Sequence, residues 1–236
     1  MSSSTYGDNC AEFYDEIYGP PRAVVVRALY RLAQGGSVLE LGLATGRTAL
    51  PLLQMGLKVT GIESSSAMLD LLRRKPGADG IRVVKGDFAS IRLSEQFDLV
   101  FALVNTFSLL QTQQRQTRCL QYVAEMLKSD GLFVIEAFRP SDAGAEITDE
   151  GIRCTFRHEL MTKMGRRLYK VQVLYQEVED LDRLASNAGL VLKERWGDWR
   201  GGPYTPEAGC HVSVYGLGWA PPKSRWTEAA KSKVKG

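Results

Sequence analysis

The stretch SVLELGLATGR, residues 37–47, constrains the fold more than any other part of the chain. Its apolar run reads as a buried strand, and three small residues, Gly42, Ala44 and Gly46, mark the turn into a helix that begins near Gly46. The same alternation continues with a strand at 57–63, a helix at 65–74 and strands at 81–85 and 97–104. A long helix from about 111 to 128, a turn at Ser129–Gly131 and a strand at 132–138 follow. Strands alternating with helices, several of them apolar on both faces, predict a parallel sheet covered on both sides.

The regularity then changes. In residues 151–160, Ile152, Cys154, Phe156, His158 and Leu160 fall on one face of an extended chain. Beyond a turn near Met164–Gly165, Tyr169, Val171, Val173 and Tyr175 form a matching stripe. A two-stranded antiparallel hairpin is expected. A helix over 179–189 and strands at 190–199 and 211–219 close the pattern as an antiparallel edge on the parallel sheet.

At 236 residues the chain suits one α/β domain, expected over 1–220 with the hairpin as a lid insertion at about 141–178. No apolar run approaches the roughly 20 residues that span a bilayer, and the N-terminus has no basic segment leading into an apolar one, so a cytoplasmic protein without membrane partners is expected. Cys10, Cys119, Cys154 and Cys210 are widely spaced, without the clustering that a zinc site or disulfide framework needs. No metal is expected. The net charge of +3 resides in the tail, 221–236, where Lys223, Arg225, Lys231, Lys233 and Lys235 face only Glu228. Without interleaved aromatic residues, this reads as a solvated terminus rather than a nucleic-acid surface.

The turn at Gly42–Gly46 lets a ligand approach the backbone, and the helix that follows offers free N–H donors to a carboxylate or phosphate. As a dinucleotide fingerprint the turn is wrong: G-x-A-x-G stands where G-x-G-x-x-G is required, and Glu40 just ahead would repel a pyrophosphate. Glu40 would instead favour a cationic amine. Glu63, closing the second strand, is placed for two ribose hydroxyls. Asp87 and Phe88 in KGDFAS can meet an adenine, one by accepting from its amino group and the other by covering its ring. Adenine, ribose and an amino acid together describe S-adenosylmethionine.

The chain resembles the class I S-adenosylmethionine-dependent methyltransferases, in particular a small-molecule group opening with a YDEIYGP-type helix. The likeness runs through LELGLATGR, VTGIESSSAML, VVKGDFASI, FDLVFALVNTF, LKSDGLFVIEAF and ERWGDWRGGPYT. It implies a Rossmann-like, seven-stranded, mostly parallel sheet with a reversed final strand. By position it implies that Gly42, Ala44 and Gly46 border the methionine moiety, with Glu63 on the ribose, Asp87 and Phe88 on the adenine, and Asn105 beside the sulfonium. Tyr14 and Tyr18 would close over the cofactor, and Glu40, Met68 and Gly86 complete the binding set. Two features depart from the pattern: Ala44 replaces the usual middle glycine, and only about 40 residues separate Phe138 from Glu179, which abbreviates the lid.

The implied reaction is methyl transfer to an oxygen, nitrogen or carbon of a small molecule, as in secondary metabolism, by a monomer or homodimer. Such a displacement needs orientation more than a strong catalytic signature. His158 is the base expected from residue type, against a packed histidine, and Glu136 the second catalytic candidate, against a structural role. His211, Trp196, Trp199 and Tyr215 read as structural. A nucleic-acid acceptor is disfavoured, because VNTFS stands where base-modifying relatives carry an Asp/Asn-Pro-Pro-aromatic run. A protein acceptor, or a nucleoside-binding protein without catalysis, is the remaining alternative.

Overall fold

The computed structural model describes residues 3–140, 145–162 and 165–218. Helices α1 (Ser3–Tyr18) and α2 (Ala23–Ala33) precede β1 (Ser37–Leu41), α3 (Ala49–Gln54), β2 (Lys58–Glu63), α4 (Ser66–Arg73), β3 (Arg82–Lys85) and β4 (Phe97–Ala102). Then come α5 (Gln113–Met126), β5 (Leu127–Phe138), β6 (Ala145–Thr148), β7 (Gly151–Thr162), β8 (Gly165–Tyr175), α6 (Val178–Asn187), β9 (Leu190–Trp196) and β10 (Cys210–Leu217). Seven strands form one sheet in the order β3-β2-β1-β4-β5-β10-β9; β10 runs antiparallel to both neighbours, while the other pairings are parallel. No helix among the described residues is long and apolar enough to cross a membrane.

Strand alternation divides the core. Val38, Val59, Leu99, Phe101 and Val134 pack on one face against Val25, Leu29 and Leu32 of α2, Leu52 of α3 and Leu69 of α4. Their neighbours Leu39, Leu41, Ile62, Val100 and Phe133 pack on the other face against Leu120 and Val123 of α5 and Leu181 and Leu184 of α6. Helices thus cover both faces, and the apolar runs of the central strands follow from burial on both sides. Side-chain caps fix two helix starts: Ser65 accepts from Met68 N at 3.2 Å and Thr112 from Arg115 N at 3.3 Å.

Some boundaries differ from expectation. The turn at Ser129–Gly131 is absorbed into β5 as an irregularity, the pairing stepping from Phe97 opposite Leu127 to Leu99 opposite Leu132. The lid is a three-stranded sheet rather than a hairpin, because β6 adds a strand with Ala145 opposite Cys154 and Thr148 opposite Gly151. Four residues are too few for a legible alternation. The strand expected at 190–199 ends at Trp196, and the last strand ends at Leu217. The tail, 221–236, and lid residues 141–144 and 163–164 lie outside the described residues.

A third apolar cluster joins α1 to the lid and the sheet domain: Cys10, Ala11 and Phe13 pack with Tyr169, Val171 and Val173 of β8 and with Ala44 and Met68. Polar anchors pin α1 at both ends. Ser65 Oγ donates to Asp8 at 2.6 Å, Thr45 Oγ1 donates to Asp15 at 2.5 Å, and Lys75 pairs with Asp15 at 2.6 Å. Gly7 permits the closest approach, since a Cβ there would stand 2.5 Å from Ser65 Cβ. Helix α1 and the lid therefore roof the carboxyl ends of β1, β2 and β4.

Candidate active site

The strand order reverses between β1 and β4, and in open α/β sheets the crevice at that switch point receives the ligand. There the chain leaves β1 through three left-handed residues, Gly42 (φ 71°), Ala44 (φ 49°) and Gly46 (φ 74°). At Gly42 the space also demands glycine, because a Cβ would meet Thr106 Cγ2 at 2.5 Å. Ala44 carries a side chain in the same backbone region, at a cost of about 1 kcal/mol or more. Its N–H offsets part of that cost by donating to Glu63 Oε2 at 2.7 Å, while Ser65 N donates to Oε1 at 2.8 Å. Glu63 is therefore a buried carboxylate with a backbone donor on each oxygen.

Glu40 is different. It is 6% exposed, its Oε2 accepts no hydrogen bond among the described residues, and burial lifts its carboxyl to about 8. The charge of Glu63 pushes the same way; Arg47 and the N–H of Ala49 oppose it. Arg47 packs its guanidinium 5.8 Å from the Tyr18 ring centroid and makes no ion pair among the described residues. A buried, half-satisfied acid beside an unsalted cation matches the two charged ends of an amino acid.

A cleft of about 290 Å³ opens over these groups. Of the residues expected from sequence, Tyr14, Tyr18, Glu40, Gly42 and Asn105 line it. A smaller extension of about 40 Å³ shares Tyr14 and Gly42 and adds Ala44, Glu63, Met68 and Phe88. Gly46, Gly86 and Asp87 line neither space. Gly46 abuts Leu72, and Asp87 accepts from Ala89 N at 2.9 Å and pairs with Arg115. Glu136 lies in a neighbouring chamber, fully engaged: Oε1 accepts from Trp199 Nε1 at 2.6 Å and Arg22 at 3.3 Å, and Oε2 accepts from Val104 N at 3.0 Å. His158 stands opposite Tyr169 in the lid register, and its side chain lies outside the described residues.

Other lining residues escaped sequence reasoning. Tyr6 borders both spaces and shares a 2.8 Å hydrogen bond with the Tyr18 hydroxyl. Its signal was available, since Tyr6, Cys10, Tyr14 and Tyr18 recur every four residues and so run down one side of α1. Arg47 directly follows the Gly42–Gly46 turn. Thr106, Leu109 and Phe138 arrive from segments whose convergence only the fold reveals. His211 is buried, its Nδ1 bonded to Ser213 Oγ at 2.8 Å and its imidazole pushed down to about 4 by burial. It stands apart from the cleft.

A nucleoside-binding α/β fold with a lidded cleft and a cation-seeking acid defines the class of the chain, and comparison with known proteins agrees. Residues 38–131 match the family described as Methyltransferase domain. The chain is 30% identical over 143 residues to the cypemycin N-terminal methyltransferase of Streptomyces sp, a match spanning 59% of this chain and 58% of that protein. To an uncharacterized methyltransferase of Geobacillus sp. (strain WCH70) it is 31% identical over 167 residues, 69% of this chain and 76% of the relative. Among solved structures, the CcbJ methyltransferase from Streptomyces caelestis superposes with a TM-score of 0.81 at 32% identity, over 92% of this chain and 99% of that one. The chain belongs to the class I S-adenosylmethionine-dependent methyltransferases.

Proposed function

We propose that the cleft directs the methyl group of S-adenosylmethionine to an amine nitrogen of a small molecule or short peptide. The observation that carries the reading is the buried Oε2 of Glu40, unpartnered among the described residues, beside Arg47 at the switch point. Glu40 takes the ammonium of the cofactor's amino-acid end and Arg47 its carboxylate. Glu63 takes the ribose hydroxyls, its oxygens being already oriented by Ala44 and Ser65. Phe88 and Met68 flank the adenine. The bound cofactor supplies a methyl group activated by its sulfonium.

The acceptor lies under the lid, where Phe156, Val171 and Val173 face Leu109 across a mostly apolar space. Among the described residues, the groups able to take a proton there are few. Burial raises the phenols of Tyr6, Tyr14 and Tyr18 above their ordinary range, so they stay protonated, and Glu40 is committed to the cofactor. An amine meets this condition, because at neutral pH a fraction of it carries a free lone pair and its proton passes to water. The name of the cypemycin relative, an N-terminal methyltransferase, agrees with a nitrogen acceptor. In this reading the transfer needs no base from His158. Glu136 holds Trp199 and the Val104–Asn105 turn, whose two residues are both left-handed (φ 50° and 60°).

The test is an acceptor screen with isotope-labelled cofactor and mass spectrometric location of the methyl group, set across apolar amines, phenols and carboxylic acids. Labelled amines are expected. Labelling of phenols or acids with every amine untouched would overturn the nitrogen reading.

A further inference from the structure

Behind the cleft lies a second chamber of about 250 Å³ that the cofactor reading leaves unused. Tyr18, Arg47, Thr48, Leu103, Val104 and Phe138 line both spaces, so the two adjoin. Beyond that wall the lining is Pro20, Pro21, Val25, Arg22 and Glu136. Its body is apolar, and its charges are unevenly committed. Glu136 is 3% exposed, and its oxygens are taken by Trp199 Nε1 and Val104 N as well as by Arg22. The Arg22 guanidinium gives one nitrogen to Glu136 at 3.3 Å and makes no other hydrogen bond or ion pair among the described residues, its side chain 65% exposed. A guanidinium has five N–H donors in a planar fork that matches a carboxylate. The Arg22–Glu136 pair is neutral overall, and the guanidinium keeps unused N–H donors that can hydrogen-bond an arriving carboxylate.

Resting on the reading of the cleft given above, we propose that this chamber is a second subsite of the acceptor, one that seats an apolar portion ending in a carboxylate on Arg22. The acceptor is then elongated, with its nitrogen under the lid and its acidic end behind Leu103 and Val104. Specificity follows from the distance between the two ends, because only a molecule bearing both groups fills both spaces. Arg22 contacts no cofactor group in this arrangement, so it selects the acceptor alone.

The probe is 4-phenylbutyrate, an apolar body with a carboxylate, titrated calorimetrically into protein saturated with S-adenosylhomocysteine; 4-phenylbutyramide is the uncharged control. The carboxylate is expected to bind the loaded protein at least tenfold more tightly than the amide. Arg22→Gln should erase that preference, Arg22→Lys should restore part of it, and Pro21→Trp, which fills the chamber from an exposed loop, should abolish binding. None of the three should change the affinity for S-adenosylhomocysteine. Displacement of S-adenosylhomocysteine by phenylbutyrate would show that the anion site is the cofactor's own and would overturn the proposal, as would equal binding of acid and amide or an unaltered preference in Arg22→Gln. Failure of S-adenosylhomocysteine itself to bind appears in the first titration and counts against the cofactor reading instead.

Discussion

Glu40, one residue short of the end of β1, and Glu63, the last residue of β2, are two buried carboxyl groups on neighbouring strands, and only one of them is satisfied. Glu63 holds the backbone N–H groups of Ala44 and Ser65, whereas Oε2 of Glu40 has no partner among the described residues and the charge on Glu63 makes its ionisation harder still. The folded chain therefore binds a proton at Glu40 more tightly, near pH 8, than the unfolded chain does near 4.5. Stability from this group is fully present below pH 4.5 and is lost as pH rises through 8, because the folded state holds the extra proton over that window. The loss is on the order of 4 kcal/mol. Glu40→Gln should remove it, so denaturation midpoints of the ligand-free variant and wild type should diverge steadily from pH 5 to 8, with the variant the more stable at pH 8. Parallel curves would show that Glu40 is already ionised in the folded chain.

Glu63→Ala should weaken cofactor binding by roughly 1.5 to 3 kcal/mol, the range for hydrogen bonds to a charged group. It also deprives the Ala44 and Ser65 N–H groups of their acceptor, so a smaller loss of stability accompanies it. Calorimetry and a thermal melt on the same sample separate the two effects. An unchanged affinity would mean that the ribose lies elsewhere.

Ala44 carries a side chain at φ 49° where glycine is the natural occupant. Ala44→Gly should relieve that strain and stabilise the fold by up to about 1 kcal/mol, after allowing for the greater freedom of glycine in the unfolded chain. Cofactor affinity should hold or rise. A destabilised variant would show that packing of the Ala44 methyl in the cluster joining α1 to the lid outweighs the backbone cost.

The seven-stranded sheet was legible because central strands buried on both faces read as apolar runs, as in Val38–Leu41 and Leu99–Ala102. Helix α2 was not anticipated, since its Ala23–Val26 segment is rich in β-branched residues that favour strands; packing of Val25 and Leu29 on the sheet decides for helix. Strand β6 was too short to show a period. In the site, Glu40, Gly42, Ala44 and Glu63 could be placed because they sit within a few residues of strand ends. Phe156, Val171 and Leu109 face one space only because the lid folds back over the sheet, a relationship between distant segments that local pattern does not contain. Asp87 shows the converse: its type suits an adenine, yet its nearest partner is Arg115.

Glu136 supports the Val104–Asn105 turn through Val104 N and positions Trp199. Glu136→Gln should lower the melting temperature and reduce turnover while leaving the shape of the rate–pH profile intact, because the carboxylate holds geometry rather than moving a proton. Loss of one limb of that profile at unchanged stability would assign Glu136 as a base.

The central claim, that Glu40 receives the cofactor's ammonium, predicts that binding drives off the proton Glu40 holds in the free protein. Titration calorimetry of S-adenosylmethionine at pH 7 in two buffers of different ionisation heat measures that proton directly. Release of close to one proton per cofactor is expected at pH 7, declining toward zero above pH 9 and absent in Glu40→Gln. Equal release by wild type and Glu40→Gln, or none from the wild type at any pH, would contradict it.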